Sequence, residues 1–195
     1  MMFKYSIFQK NPILMLLIEA NLKNKSVNTP DRPIFSFLLP IRQAVRLIRL
    51  GKHILLLRHK LKLGHNIVFG KDALLQPPEF MEIGNNVYFG PWFVLQSNLK
   101  VGDDVLFSSR VACISNDHAY DDANKSIIDQ GRLKPNTITI EGDNLIGFGT
   151  IIVGDVRIGK GCIIGAGSVV TKDLPPYTIC AGVPAKPIKM RYEKT

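Results

Sequence analysis

Cysteine is scarce, with three among 195 residues: Cys113, Cys162 and Cys180. Three scattered thiols make neither a disulfide framework nor a Cys-x-x-Cys metal site, so they read as small buried residues in a reducing compartment. Long apolar runs are missing too. The longest aliphatic stretch near the start, Ile13 to Ile18, stops at Glu19, far short of the ~20 apolar residues that cross a membrane as a helix. No small-residue cleavage site follows it, so a secretory signal is not expected and the chain reads as cytoplasmic. Acidic residues are nearly absent from one region: residues 1–65 hold 12 Lys and Arg against Glu19 and Asp31, a charge of +10, while residues 66–195 hold 13 against 14, or −1. What remains is an ordinary globular composition, 46% hydrophobic and 21% charged, expected to form one domain.

The basic third lacks the aromatic interleaving or groove-reading motif of a nucleic-acid domain, and no nucleic-acid partner is expected. Between Ile41 and Leu63 it carries Arg42, Arg46, Arg49, Lys52, Arg58, Lys60 and Lys62 among Ile41, Val45, Leu47, Ile48, Leu50 and the run Ile54 to Leu57. The spacing of Arg42, Arg46 and Arg49 predicts one face of an amphipathic helix. Two readings stay open. Either the apolar side covers the end of the main domain while the cations face water, or residues 41–62 are drawn to an anionic membrane surface or substrate.

From Leu63 a period of six takes over. Large apolar residues return at Ile83, Phe89, Leu95, Val101, Phe107 and Cys113, then at Ile140, Ile146, Ile152, Ile158, Ile164 and Val170. The position four later is mostly apolar or small: Val87, Phe93, Leu99, Val105 and Val111, then Thr150, Val156, Cys162, Ser168 and Leu174. Six fits neither a helix nor a hairpin. It fits a mainly β fold of short parallel strands, one per side of a triangular prism, with leading and fifth residues pointing inward and Gly, Asn and Asp at the corners. Stacked coils bury a column that no single coil could bury alone. About five coils are expected, from 63 to 175, with the basic, partly helical N-terminal extension of residues 1–62 and the tail of 176–195 as candidates to cover the ends.

Two interruptions break the period. Leu75 and Ile83 are eight residues apart across Pro77-Pro78, an excess of two that fits a bulge or a corner insertion. Residues 116–139 form a long polar excursion holding Asn116, Asp117, His118, Asp121, Asp122, Asn124, Lys125, Asp129, Gln130 and Arg132. Structureless loops beyond ~12–15 residues are uncommon in compact folds and often functional, so a candidate active site belongs at its base.

The hexapeptide period, Asn116-Asp117-His118 opening the loop, and the run from Ile164-Gly165-Ala166-Gly167-Ser168 through Asp173-Leu174-Pro175-Pro176, with Ala181-Gly182-Val183-Pro184-Ala185-Lys186 after it, resemble the hexapeptide-repeat acyltransferases. Within them the chain is similar to the galactoside and maltose acetyltransferases and to the O-acetyltransferases of bacterial surface polysaccharides. The resemblance spans residues 63–192 and implies a left-handed parallel β-helix. It also implies a homotrimer, with acetyl-CoA in a groove between neighbouring prisms, and His118 as catalytic base. An imidazole, whose ordinary pKa is about 6.5, suits the removal of a proton from an attacking hydroxyl. Asp117, Asp121 or Asp122 could orient it. The positions matching the pantetheine arm are Gly147, Ala166, Thr171 and Lys172; Gly165 would allow close approach, and Lys172, Lys186 and Lys189 would meet the phosphates.

The chain departs from the resemblance at Leu145, where Trp is common, at Phe148, which replaces a small polar residue, and at Tyr88, which stands where an acceptor-binding Asn is expected. A simple galactoside or maltose is therefore not the expected acceptor. Asn116, Tyr88 and Trp92 are the acceptor-binding candidates. The expectation is an acetyl-CoA-dependent sugar O-acetyltransferase of a surface glycan or its precursor, without a metal: a related metalloenzyme would need three clustered histidines, whereas His53, His59 and His65 all precede the regular coils. N-acetylation of an amino sugar or another small acceptor, and a non-catalytic scaffold, are the alternatives.

Overall fold

The computed structural model describes residues 38–115 and 117–192. Asn116, the Ile13 to Ile18 run and the rest of residues 1–37 lie outside the described residues. Helix α1 (Leu39–Leu57) starts with Pro40 in its first turn, where the missing N–H costs no helical bond. It ends at Arg58, whose φ of 46° leaves the helical region. A 3₁₀ turn (Arg58–Lys60) then leads into the prism.

The first coil is β1 (Leu61–Leu63), β2 (Ile67–Phe69) and β3 (Leu74–Leu75). The second is β4 (Met81–Ile83), β5 (Val87–Phe89) and β6 (Val94–Gln96), and the third β7 (Asn98–Val101), β8 (Leu106–Phe107) and β9 (Ala112–Ile114). After the long loop come β10 (Thr137–Ile140), β11 (Leu145–Ile146) and β12 (Ile151–Val153), then β13 (Val156–Ile158), β14 (Ile163–Ile164) and β15 (Val169–Val170). Every third strand pairs in parallel, so β1-β4-β7-β10-β13 make face A, β2-β5-β8-β11-β14 with β16 (Thr178–Gly182) face B, and β3-β6-β9-β12-β15 face C. This is the left-handed hexapeptide β-helix. β17 (Ala185–Met190) folds back antiparallel on β16 and closes that end of face B.

The boundaries shift from the sequence expectation. The prism begins at Leu61, which pairs with Met81, and not at 63. Part of the supposed tail belongs to the solenoid: β16 pairs with β14, and with Leu174, which bridges Ile158, it gives two sides of a sixth coil beyond the five expected. The period resumes at Thr137, so the excursion lies between Ile114 and Thr137.

The inward positions are those of the six-residue period. Phe69, Phe89 and Phe107 are register partners on face B, their rings stacked at 4.9 and 4.7 Å. Ring spacing therefore equals strand spacing, and backbone bonding and aromatic stacking are met by one geometry. Ile146, Ile164 and Cys180 continue the row toward the C-terminus. Polar residues at the fifth position are satisfied by corner backbone. Asn144 accepts from Gly142 N (2.9 Å) and donates to Gly159 O (2.8 Å), and Ser168 donates to Gly165 O (2.7 Å).

Corner chemistry divides between two residue sets. The left-handed backbone falls on Asn66, Asn86, Asp104 and Asp143, with φ of 53–60°, on Asp72, Trp92, Arg110 and Tyr177 at similar φ, and on Gly149, Gly161 and Gly167 at 67–76°. The glycines directly after the inward aliphatic residues serve close approach instead. A Cβ on Gly90 would lie 2.5 Å from the carbonyl carbon of Ser108 in the next coil. The side chains of Asn66, Asn86 and Asp104 form a hydrogen-bonded ladder, 3.0 and 2.8 Å, up the A–B edge. At the predicted insertion, Lys60 Nζ donates to Pro78 O (2.8 Å) and the Asn98 carboxamide accepts from Glu79 N (2.9 Å), which holds the extra residues in place.

α1 lies over the first coil. Leu50, Leu57 and His53 are buried, and the His53 ring sits 4.8 Å from Phe69, extending the aromatic column by one layer. The covering role expected for this helix holds, but the charge arrangement does not. Its outward side is aliphatic (Ile41, Ile48, Leu55 and Leu56), while Arg42, Arg46 and Arg49 lie along one flank, lining a 290 Å³ cleft with Lys71, Tyr88 and Pro91.

Two outcomes test this packing. Gly90→Ala is expected to cost about 1–3 kcal/mol through the backbone clash, whereas Gly51→Ala, with nothing within 4 Å on α1, gains about 0.5–1 kcal/mol; thermal denaturation should shift in opposite directions. Burial, reinforced by Lys52, pushes His53 down from 6.5 to about 4. The unfolded chain therefore binds the extra proton between these values, so the cap's stability is full above pH 6.5 and falls as pH drops toward 4. His53→Leu should flatten that part of the Tm-against-pH curve relative to wild type.

Candidate functional site

The excursion leaves the prism at the C–A edge, directly after β9. His118 stands near its root, in an antiparallel bridge with Arg132, and the bonds Ala119 N to Gly131 O (3.0 Å) and Leu133 N to Asp117 O (2.8 Å) tie the two limbs together. The loop's far part is held by Gln130. Its carboxamide accepts from Asp122 N and donates to Asp122 O and Lys125 O, each at 3.0 Å. The excursion is thus a built projection, with Tyr120, Ile127 and Ile128 exposed on it.

His118 is half-buried, and its Nδ1 is shut off from solvent with no hydrogen-bond partner among the described residues. None of the three proposed orienting acids pairs with that nitrogen. Asp117 accepts from the backbone N–H of His118 (2.8 Å), capping its own turn, and Asp122 caps Asn124 N (3.0 Å) and pairs with Lys125 (3.2 Å). Asp121 is exposed. A buried polar nitrogen left unpaired is costly, so this ring is held without the compensation that a structural histidine usually finds.

Of the residues matched to the thioester arm, the prism gathers only some. Gly147, Gly165 and Ala166 lie on the B–C edge of the fourth and fifth coils. With Gly149 and Gly167, at which an added Cβ would meet nothing within 4 Å, they make a lane of bare backbone interrupted by the exposed Phe148 ring. Thr171 and Lys172 lie instead on the C–A edge, two coils beyond the loop root and about 10 Å along the axis at the usual strand spacing. Lys186 and Lys189 are exposed on β17. The bare lane and these cations suit an extended thiol arm ending in phosphates. Within one chain, however, face C separates the lane from the His118 edge, roughly 15 Å across.

The acceptor candidates are likewise dispersed. Asn116 is not among the described residues. Tyr88 projects from face B into the cleft beside α1. Trp92 stands on the B–C edge in the second coil, and Arg110 sits between it and Phe148, its guanidinium carbon 5.5 and 5.9 Å from the two ring centroids. Neither aromatic meets His118 in a single copy, contrary to a site assembled on one prism. Arg110 was missed in the sequence; its spacing of 18 from Trp92, one full coil, was the available signal. Cys113, Cys162 and Cys180 are fully buried, and burial pushes the Cys113 thiol up to about 12, so none is placed as a nucleophile. Among the described residues no cluster of His, Cys, Asp and Glu could hold a metal ion.

Residues 137–172, the fourth and fifth coils, match the bacterial transferase hexapeptide family, described as six repeats. Over 128 residues the chain is 33% identical to the galactoside O-acetyltransferase of Escherichia coli (strain K12), covering 62% of this chain and 62% of that protein. Its fold is similar to a maltose O-acetyltransferase from Clostridium difficile 630, with a TM-score of 0.63 and 23% identity across 94% of this chain and 90% of that one. It is also similar to a variant of AntD, an N-acyltransferase from Bacillus cereus solved with dTDP and coenzyme A, with a TM-score of 0.59 and 24% identity over 69% and 75% of the two chains. The chain spans about three fifths of the length of the first curated relatives it matches: 58%, 62% and 58%. By repeat and fold the chain is similar to the hexapeptide-repeat transferases.

The loop's architecture makes a separable prediction. Gln130→Ala removes three side-chain bonds that lie outside the prism, so limited proteolysis within residues 119–131 should quicken while the Tm of the solenoid stays put. A fall in Tm equal to that of a core substitution would contradict an independently braced loop.

Proposed function

We propose that this chain is an acetyl-CoA-dependent O-acetyltransferase of a sugar hydroxyl, on a bacterial surface polysaccharide or its precursor, working as a homotrimer in the cytoplasm, where CoA thioesters are made. The observation that carries the reading is the unpaired, buried Nδ1 of His118 at the root of the long loop. It marks an imidazole held at an edge of the prism rather than spent on structure. The galactoside O-acetyltransferase relative supports a sugar acceptor, and the coenzyme A in the AntD complex supports the donor.

In this reading Nε2 of His118 takes the hydroxyl proton as the acceptor oxygen bonds to the thioester carbonyl carbon. A backbone N–H beside the groove holds the charge that grows on the carbonyl oxygen. The C–S bond then breaks, and the imidazolium returns its proton to the departing sulfur. Transfer is direct, in keeping with three cysteines that are all buried. The bare lane at Gly147, Gly165 and Ala166 would hold the pantetheine arm, with Thr171 and Lys172 reaching it from the C–A edge of a neighbouring copy. Lys172, Lys186 and Lys189 would meet the phosphates through charge-assisted bonds. Because one chain places the lane and His118 on different edges, each site would be completed by the neighbouring copy. Tyr88, Trp92 and Asn116 would reach the acceptor by the same route.

His118→Ala is expected to lower kcat by about 10²–10⁴ while CoA binding, measured by calorimetry, and Tm stay as in wild type. Release of free thiol, followed with a panel of hydroxyl and amino sugars, reads the activity. Unchanged turnover in the variant would remove His118 as the base. Failure of the wild type to bind CoA would favour a scaffold.

A further inference from the structure

The outward face of α1 is apolar in a place where a capping helix usually turns charge to water. Ile41, Ile48, Leu55 and Leu56 are 61%, 71%, 70% and 66% exposed, and Val45 lies in the same stripe. At 1.5 Å per residue the stripe runs about 22 Å. Lys52 is the one charged residue within it. Leu50, His53 and Leu57, on the opposite side, are buried on the first coil. The helix therefore has two apolar faces, one covering the prism and one covered by nothing among the described residues.

Position and charge single out the occupant. His53 continues the stacked column of Phe69, Phe89 and Phe107, so α1 lies across the end of the prism and its outer face looks away along the prism axis. Residues 39–62 carry seven Lys and Arg and no acidic residue. A second copy of this helix would bring like charges together, whereas an anionic lipid surface is complementary to them. Aliphatic residues on the free face with cations along the flank are the arrangement of a helix that lies in the membrane interface.

We infer that α1 is a docking surface for an anionic lipid bilayer, which would set the prism upright on the membrane with its first coil nearest the lipid. This does not rest on the acetyltransferase reading. If both hold, copies related by an axis parallel to the prisms would present their stripes in one plane, and weak individual contacts would add.

The test uses the full chain with sedimented vesicles of phosphatidylcholine alone and of phosphatidylcholine mixed with phosphatidylglycerol. Binding to the mixed vesicles is expected, weakening with salt. Replacing Ile48 and Leu55 together by Glu should reduce it by about tenfold or more, with Tm unchanged because both side chains are exposed. Lys52→Glu should weaken it to a smaller degree. No binding by the wild type, or equal binding by the double variant, overturns the inference. So does dissociation of a wild-type oligomer by the double substitution in analytical ultracentrifugation, since the stripe would then be covered by another copy.

Discussion

Everything in this molecule depends on equal positions in successive coils lying directly above one another at one strand spacing. The Phe69, Phe89 and Phe107 rings stack at 4.9 and 4.7 Å because the strands carrying them are bonded at that separation. The same vertical repeat sets the Asn66, Asn86 and Asp104 ladder at one edge and the Trp92 and Arg110 contact at another. It also dictates where side chains cannot be. Glycines such as Gly90 face the backbone of the next coil with no room for a Cβ. A prism built this way is rigid along its axis, and its edges are fixed platforms on which chemistry can be mounted.

That constraint is why the fold was legible in the sequence. A period of six with apolar leading and fifth residues has one simple physical solution, and even the two-residue excess around Pro77 landed at a corner. Less legible was the division of labour among corner residues. The sequence pattern assigned the unusual backbone angles to Gly, Asn and Asp together, and Asn and Asp do take most of them after face A; after face B they fall on Gly149 and Gly167 but also on bulky Trp92 and Arg110, which the pattern did not single out. The outward apolar stripe of α1 was hidden because a helical pattern with cations at three and four reads as one buried side and one wet side. Only the placement of Leu50, His53 and Leu57 against the first coil shows which aliphatic residues are left over.

The candidate site shows the same limit. His118 could be picked out because it opens the one long break in a regular repeat. The roles of Asp117 and Asp122 could not be read from spacing, since both carboxylates are used locally, on a backbone turn and on Lys125. Nor could linear sequence reveal that Gly165 and Ala166 occupy a different prism edge from Thr171 and Lys172, although only a few residues separate them. The face between these edges is too wide for one copy to bring an imidazole against a thioester in the lane. The proposed chemistry therefore needs a second prism, and the braced projection of residues 115–136 is the element with the reach to approach one.

Mixed assembly is the most direct measurement of that shared site. One variant would lack the imidazole, as His118→Ala, and another would obstruct the lane, as Ala166→Trp; each alone should be inactive. Co-expressed so that they assemble together, they should recover about a quarter of wild-type turnover, the share of seams that pair an intact histidine with an intact lane under random assortment. Mixtures as inactive as either parent would contradict the account.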